Sequence, residues 1–126
     1  EAKLNARPDL NAPALGTLAD LDDTGFRTLF TGSPVKRIGH ARFLRNILIA
    51  IGNSGDATML PYALARLDDA SPLVRAMAVW AAAQLASPVQ FSELRQAHAQ
   101  FENDTAVLSE WGPADLHETG HETGNA

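Results

Sequence analysis

Three groups of residues in this chain carry types and spacings that could do chemistry. The first lies near the C-terminal end, where His117, Glu118 and His121 spell HExxH. On a helix that spacing sets two imidazoles one turn apart as zinc ligands, with the glutamate as general base. Here Thr119 and Gly120 are poor helix formers, Pro113 precedes, and no apolar face follows to hold the segment on a core. The tetrapeptide HETG is simply repeated, so a low-complexity tail explains the match better than a metal site. The second group is GNSG at Gly52–Gly55, a literal GxxG. Such a loop clamps a nucleic-acid backbone when it joins two helices packed on a sheet. No sheet is legible here, and a helix end followed by a new helix start is the simpler reading. The third group is a cluster of cations.

Arg27, Lys36, Arg37, Arg42 and Arg45 lie between Asp23 and Asp56 with no acid among them. They are half of the 10 lysines and arginines of a chain whose formal net charge is -5. Solvated surfaces normally intersperse signs. A single-sign block on an acidic background points to a local polyanion site without wholesale nonspecific attraction. Lys36 and Arg37 precede a helix start at Gly39, where free backbone amides and the helix dipole favour an anion. Arg42 and Arg45 project from the first turns of that helix, on one side of it. Asn46 adds an amide that could reach phosphate, sugar or base. The alternative is that one or two of these arginines fix an adjoining segment or domain. No Ser/His/Asp set, no carboxylate pair in an apolar setting and no phosphate-binding Gly-Lys-Ser/Thr loop is present. His98 reads as a surface residue, and Trp80 and Trp111 as packing residues.

Composition limits what can stand behind these groups. At 126 residues the chain is one domain or a piece of one, and 45% apolar residues suit a globular protein. No apolar run approaches the ~20 residues of a membrane span. Zero cysteines exclude disulfides, thiolate zinc and iron–sulfur ligation by this chain, and fit a reducing compartment such as the cytoplasm. The first nineteen residues, with Pro8 and Pro13, read as a linker entering from missing upstream domains. Residues 20–111 read as the folded domain, and 112–126 as a disordered tail.

The elements that must position the cations are all helical. A short helix is expected over about 22–30, capped by Asp22 and stopped by Gly32, with Ser33-Pro34 opening a turn. The next spans about 40–52 through Phe43, Leu44, Ile47, Leu48 and Ile51, with Ile49 falling among the polar residues. A helix over 56–67 is capped by Asp56 and made irregular by Pro61. Ser71-Pro72 starts a helix to Leu85 that is apolar nearly all round, hence buried on several sides. Ser87-Pro88 starts an amphipathic one whose stripe is Val89, Phe91, Leu94, Ala97 and Phe101. A last short helix covers about 104–111. The helix pairs at about 40–67 and 71–102 start roughly 31 residues apart, as in an α-solenoid. DDASPLVRAMAVWAAAQL resembles a HEAT repeat, through Asp69, Pro72, Val74, Arg75, Ala78, Ala82 and Leu85. NDTAVLSEW looks like the start of a truncated one, with Leu108 at the usual arginine position.

GSPVKRIGHARFLRNILIAIGNSGD, followed by the HEAT-like segment and preceded by LADLDDTGFRTLF, resembles the start of the C-terminal helical-repeat domain of the epoxyqueuosine reductase family. The resemblance covers residues 9–86 and departs at His40, where arginine is expected, which weakens one phosphate contact. It implies an all-α HEAT-like domain that is non-catalytic by itself. It also implies a tRNA partner, bound at the anticodon stem-loop through Ser33, Lys36, Arg37, Arg42, Arg45 and Asn46. Cobalamin and two 4Fe–4S clusters would sit in upstream cobalamin and ferredoxin-like domains of the same chain, which would reduce epoxyqueuosine to queuosine. The competing reading is a HEAT-repeat scaffold docking an acidic partner or its own cluster domain. An autonomous enzyme would need a catalytic cluster that the sequence lacks.

Overall fold

The computed structural model describes residues 12–113, and among them every regular element is helical. The α-helices are α1 Ala12–Ala19, α2 Asp23–Leu29, α3 His40–Asn53, α4 Leu60–Leu64, α5 Pro72–Leu85, α6 Pro88–His98 and α7 Thr105–Trp111. Short 3-10 turns, Pro34–Ile38, Ala57–Met59 and Ala99–Phe101, lie between them.

Most helix starts are set by local side-chain chemistry. The Asp22 carboxylate accepts from the Gly25 N–H at 2.7 Å ahead of α2. Ser71 accepts from Val74 ahead of α5, and Asp104 from Ala106 and Val107 ahead of α7. Ser87 and Gln90 satisfy each other's backbone N–H in a capping box. Each such cap contributes about 1 kcal/mol by occupying an amide that has no partner inside the helix. Pro61 falls in the first turn of α4, where its missing N–H costs least, and the expected 56–67 helix is split into a 3-10 turn and a five-residue helix.

The core runs along a row of packed helices. α3 packs on α5, α5 on α7, and α4 lies against α5. Leu44, Leu48 and Ile51 of α3 meet Val74, Ala78, Val79 and Ala81 of α5, all buried. α5 shows only part of its circumference to solvent, as its apolar coat requires. The α3–α5 seam is closest where Gly52 of α3 meets the Ala81 backbone of α5. A Cβ on Gly52 would overlap the Trp80 ring and stand 3.1 Å from the Ala81 Cα. Gly52 is therefore a packing residue inside α3 rather than part of a loop. Ile49 is half-buried.

The structure corrects two expectations. Residues 12–19, read as linker, form α1, which packs across α3. Leu15, Leu18 and Ala19 repeat at helical spacing and bury against the core, and this outweighs the loop signal of the nearby prolines. Val89 and Phe101, placed in the apolar stripe of α6, are 68% and 78% exposed. Only Phe91 and Leu94 of that stripe pack on the core. Val89 lies in the first turn, and Phe101 lies in the 3-10 turn that follows, where three residues per turn shift it off the α-helical stripe. Residues 1–11 and 114–126, which hold the start of the expected linker, the expected disordered tail and the HExxH match, lie outside the described residues.

Replacing Gly52 by valine should cost about 1–3 kcal/mol through overpacking of the α3–α5 seam. Urea unfolding followed by circular dichroism measures it; an unchanged midpoint would show that the seam has slack.

Candidate nucleic-acid interface

Two glycines in the left-handed region, Gly32 at φ 79° and Gly39 at φ 87°, bracket the 3-10 turn that carries Lys36 and Arg37. A side chain at either position would be strained, so glycine permits the two reversals that lay this turn beside α3. Ser33 starts the turn: its hydroxyl accepts from the Val35 N–H at 3.2 Å, and is thus engaged as a cap. Gly32, Ser33, Pro34, Lys36 and Arg37 line a shallow concavity at the surface. The turn packs on α3. α3 itself begins at Gly39 with no side-chain cap, unlike α2, α5, α6 and α7. Its first amides and the positive end of its dipole therefore stand beside Lys36 and Arg37.

The core face of α3 fixes where its polar residues point. With Phe43, Leu44, Ile47 and Leu48 buried, Arg42 and Asn46 are exposed one turn apart. Arg45 is half-buried and donates to the Asn46 side-chain oxygen from Nη2 at 3.2 Å. The structure thus brings the predicted residues to the 3-10 turn and the first turns of α3. No carboxylate among the described residues lies within ion-pair distance of Lys36, Arg37, Arg42 or Arg45. Arg27, counted with them in the sequence, pairs with Asp23 at 3.0 Å on the surface of α2.

The other arginines of the described chain behave oppositely. Arg66 donates to the Ala19 carbonyl from Nη2 at 2.7 Å, to the Leu21 carbonyl at 2.9 Å and to Asp69 at 3.2 Å. Arg75 forks onto Glu102 at 3.0 and 2.9 Å and donates to the Asp69 carbonyl. Arg95 donates to the Trp111 carbonyl at 2.9 Å and lies over the Phe91 ring. These three are structural. They bridge separate elements of the stack, whereas the cations around α3 bridge none.

His40 stands where the resemblance expects arginine. Its ring turns inward, Nε2 lying 2.7 Å from the Leu21 carbonyl and the ring 5.6 Å from that of Phe26. It adds no contact to the exposed cations. Sequence reading missed the roles of His40 and Arg66, because a hydrogen bond to a carbonyl 19 or 45 residues away leaves no local pattern. His98 is stacked on Trp111 with ring centroids 5.9 Å apart, so it is less free than a surface residue. GNSG is a helix end followed by a cap: Gly55 has φ 68°, and Asp56 accepts from the Thr58 N–H. Among the described residues no group of three or more His, Asp or Glu could hold a metal, and no helix is long and apolar enough to cross a membrane.

No protein-family model matches the chain. Epoxyqueuosine reductase of Alicycliphilus denitrificans is 43% identical over 88 residues, 64% of this chain and 24% of that protein. The enzymes of the same name from Xanthomonas campestris and Escherichia coli are 40% and 39% identical over 85 residues, 67% of this chain and 24% and 22% of theirs. The chain thus spans about a quarter of the length of the relatives it matches. A crystal structure of epoxyqueuosine reductase with an epoxyqueuosine-modified tRNA-Tyr stem loop superposes with a TM-score of 0.70 and 24% identity, over 89% of this chain and 28% of that one. At that identity the likeness concerns the fold, which is all-helical in both reading and structure. The resemblance to epoxyqueuosine reductase read in the sequence therefore stands, for a part of that protein.

The structural arginines carry a pH signature. Glu102 is held below the ordinary carboxylate range, chiefly by its hydrogen bond from Arg75 and against the opposing effect of burial. A lowered folded-state pKa stabilises above the unfolded value, about 4.3, and the gain is lost as pH falls through the folded value. Glu102→Gln should therefore unfold at lower urea than wild type at pH 7, and the difference should shrink toward pH 3. A gap independent of pH would mean that charge at Glu102 contributes nothing.

Proposed function

We propose that this chain is the tRNA-holding helical module of a longer, epoxyqueuosine reductase-like protein. Its all-α HEAT-like stack presents Lys36, Arg37, Arg42, Arg45 and Asn46 to the sugar–phosphate backbone of an anticodon stem-loop. Ser33 shapes the turn that carries two of them. Reduction of epoxyqueuosine would belong to other domains of the longer protein. A chain with no cysteine does not fit a 4Fe–4S cluster, which needs thiolate ligands, so the clusters would be held elsewhere; by the resemblance the cobalamin would belong to another domain too.

One observation carries the reading. Among the described residues, four cations around one uncapped helix start have no carboxylate partner, while Arg66, Arg75 and Arg95 are spent on internal carbonyls and acids. Keeping positive charge unpaired beside a positive helix end costs stability, through like-charge repulsion, and is recovered when a polyanion arrives. Support also comes from the relatives' name, and from the neighbouring structure's tRNA stem loop. Phosphate contacts position a nucleic acid without reading its sequence, which suits a module that holds a substrate for another domain.

Titration of an anticodon stem-loop RNA into the chain should give a dissociation constant that rises with salt. The log–log slope should have a magnitude of about 3 for four contacts. Arg42→Ala with Arg45→Ala should weaken binding roughly tenfold and lower the slope by about 1–2, with helicity unchanged. RNA binding untouched by the double substitution, together with loss of binding to an acidic protein segment, would favour the scaffold reading instead.

A further inference from the structure

Residues 22–39 leave the helical stack at Leu21 and rejoin it at His40. The excursion comprises α2, the Gly32 reversal and the 3-10 turn with Lys36 and Arg37. Both ends of it meet at one atom. The Leu21 carbonyl oxygen lies 2.7 Å from His40 Nε2 and accepts from Arg66 Nη2 at 2.9 Å. His40 is the first residue of α3, and Arg66 follows α4, so the two donors come from different parts of the stack. Above this clasp the excursion is filled by Phe26, Phe30 and Phe43, with ring centroids 5.0–5.3 Å apart. Phe26 is buried, yet α2 itself is only seven residues long and exposes Leu29. Aromatic packing alone allows rings to slide, whereas a two-donor clasp on a single oxygen is directional.

We propose that His40, with Arg66, is a positioning residue for the cation ridge: the clasp on the Leu21 carbonyl sets Lys36 and Arg37, which ride on the excursion, against Arg42 and Arg45, which ride on α3. The inference rests on the tRNA-holding reading of that ridge. It explains why histidine stands at the first position of α3 without joining the exposed cations. A polyanion with fixed phosphate spacing is held by all four cations only if the two pairs keep a fixed separation, so loosening the clasp lowers affinity while removing no positive charge.

Two measurements on the 126-residue chain separate this inference from the reading beneath it. In hydrogen exchange, His40→Phe, which keeps an aromatic ring but no donor, should speed exchange of amides 22–39 and leave α5 unchanged. His40→Gln, whose amide nitrogen reaches the place of Nε2, should restore protection. If phenylalanine is not accommodated, His40→Asn, whose amide is too short to reach Leu21, takes its place. With anticodon stem-loop RNA as probe, loss of the donor should weaken binding about three- to tenfold and lower the salt slope by about 1, with glutamine restoring both. In a Lys36→Gln, Arg37→Gln background the same substitution should have no further effect, which general destabilisation would not produce. Unchanged exchange, or unchanged binding despite faster exchange, or an undiminished effect in that background, overturns the clasp. A wild-type chain that does not bind the RNA overturns the functional reading, visibly at the first titration, and the positioning role falls with it.

Discussion

The angle at which α3 is rolled about its own axis governs everything this surface does. Gly52 admits the Trp80 ring and the Ala81 backbone, and Leu44, Leu48 and Ile51 fill the seam with α5. A helix locked along one side has no freedom to choose what its other side presents. Arg42 and Asn46 point outward because the apolar residues between them point inward. Packing with small side chains thus does electrostatic work. It holds Arg42, Arg45 and Asn46 at a fixed azimuth about the helix axis.

The arginines divide by what surrounds them rather than by sequence context. A guanidinium has five donors in a rigid fork, which suits it to several acceptors at once. Arg66 gathers two carbonyls and a carboxylate, and Arg75 both oxygens of one carboxylate and the carbonyls of Asp69 and Ala70. Each lies where one helical unit meets the next, so the stack is joined by polar bridges as well as by its core. Leu108 stands on α7 where Arg75 stands on α5, counting from the caps Asp104 and Ser71, and it is exposed. A leucine there cannot reach a following loop, so the bridging pattern is not continued beyond α7 among the described residues.

Much of this architecture was legible, because it is written in short-range signals. The caps at Asp22, Asp56, Ser71 and Ser87 lie two or three residues from the amides they satisfy, and Gly32 stops α2 as its left-handed backbone requires. The cation cluster was legible too, since charge patterning survives in one dimension; whether those side chains were spent internally was not. α1 was hidden because Pro8 and Pro13 speak for a loop, while its reason to be helical, burial of Leu15, Leu18 and Ala19, lies in α3. Phe101 was misread because a 3.6-residue period was carried past the helix end into a tighter turn. His40 drew notice only as a departure, and its carbonyl partner could be found only in three dimensions.

The bonds of Arg66 to the segment after α1 have a consequence in time as well as in space. Helices two places apart along the chain pack on each other: α1 on α3, α3 on α5 and α5 on α7. One polar tie spans further: the carbonyl of Ala19, at the end of α1, accepts from Arg66, 47 residues later and beyond α4. Loop-closure entropy must be met before that bond returns anything. Among the described residues, α1 is therefore fully secured only once the chain has folded as far as Arg66.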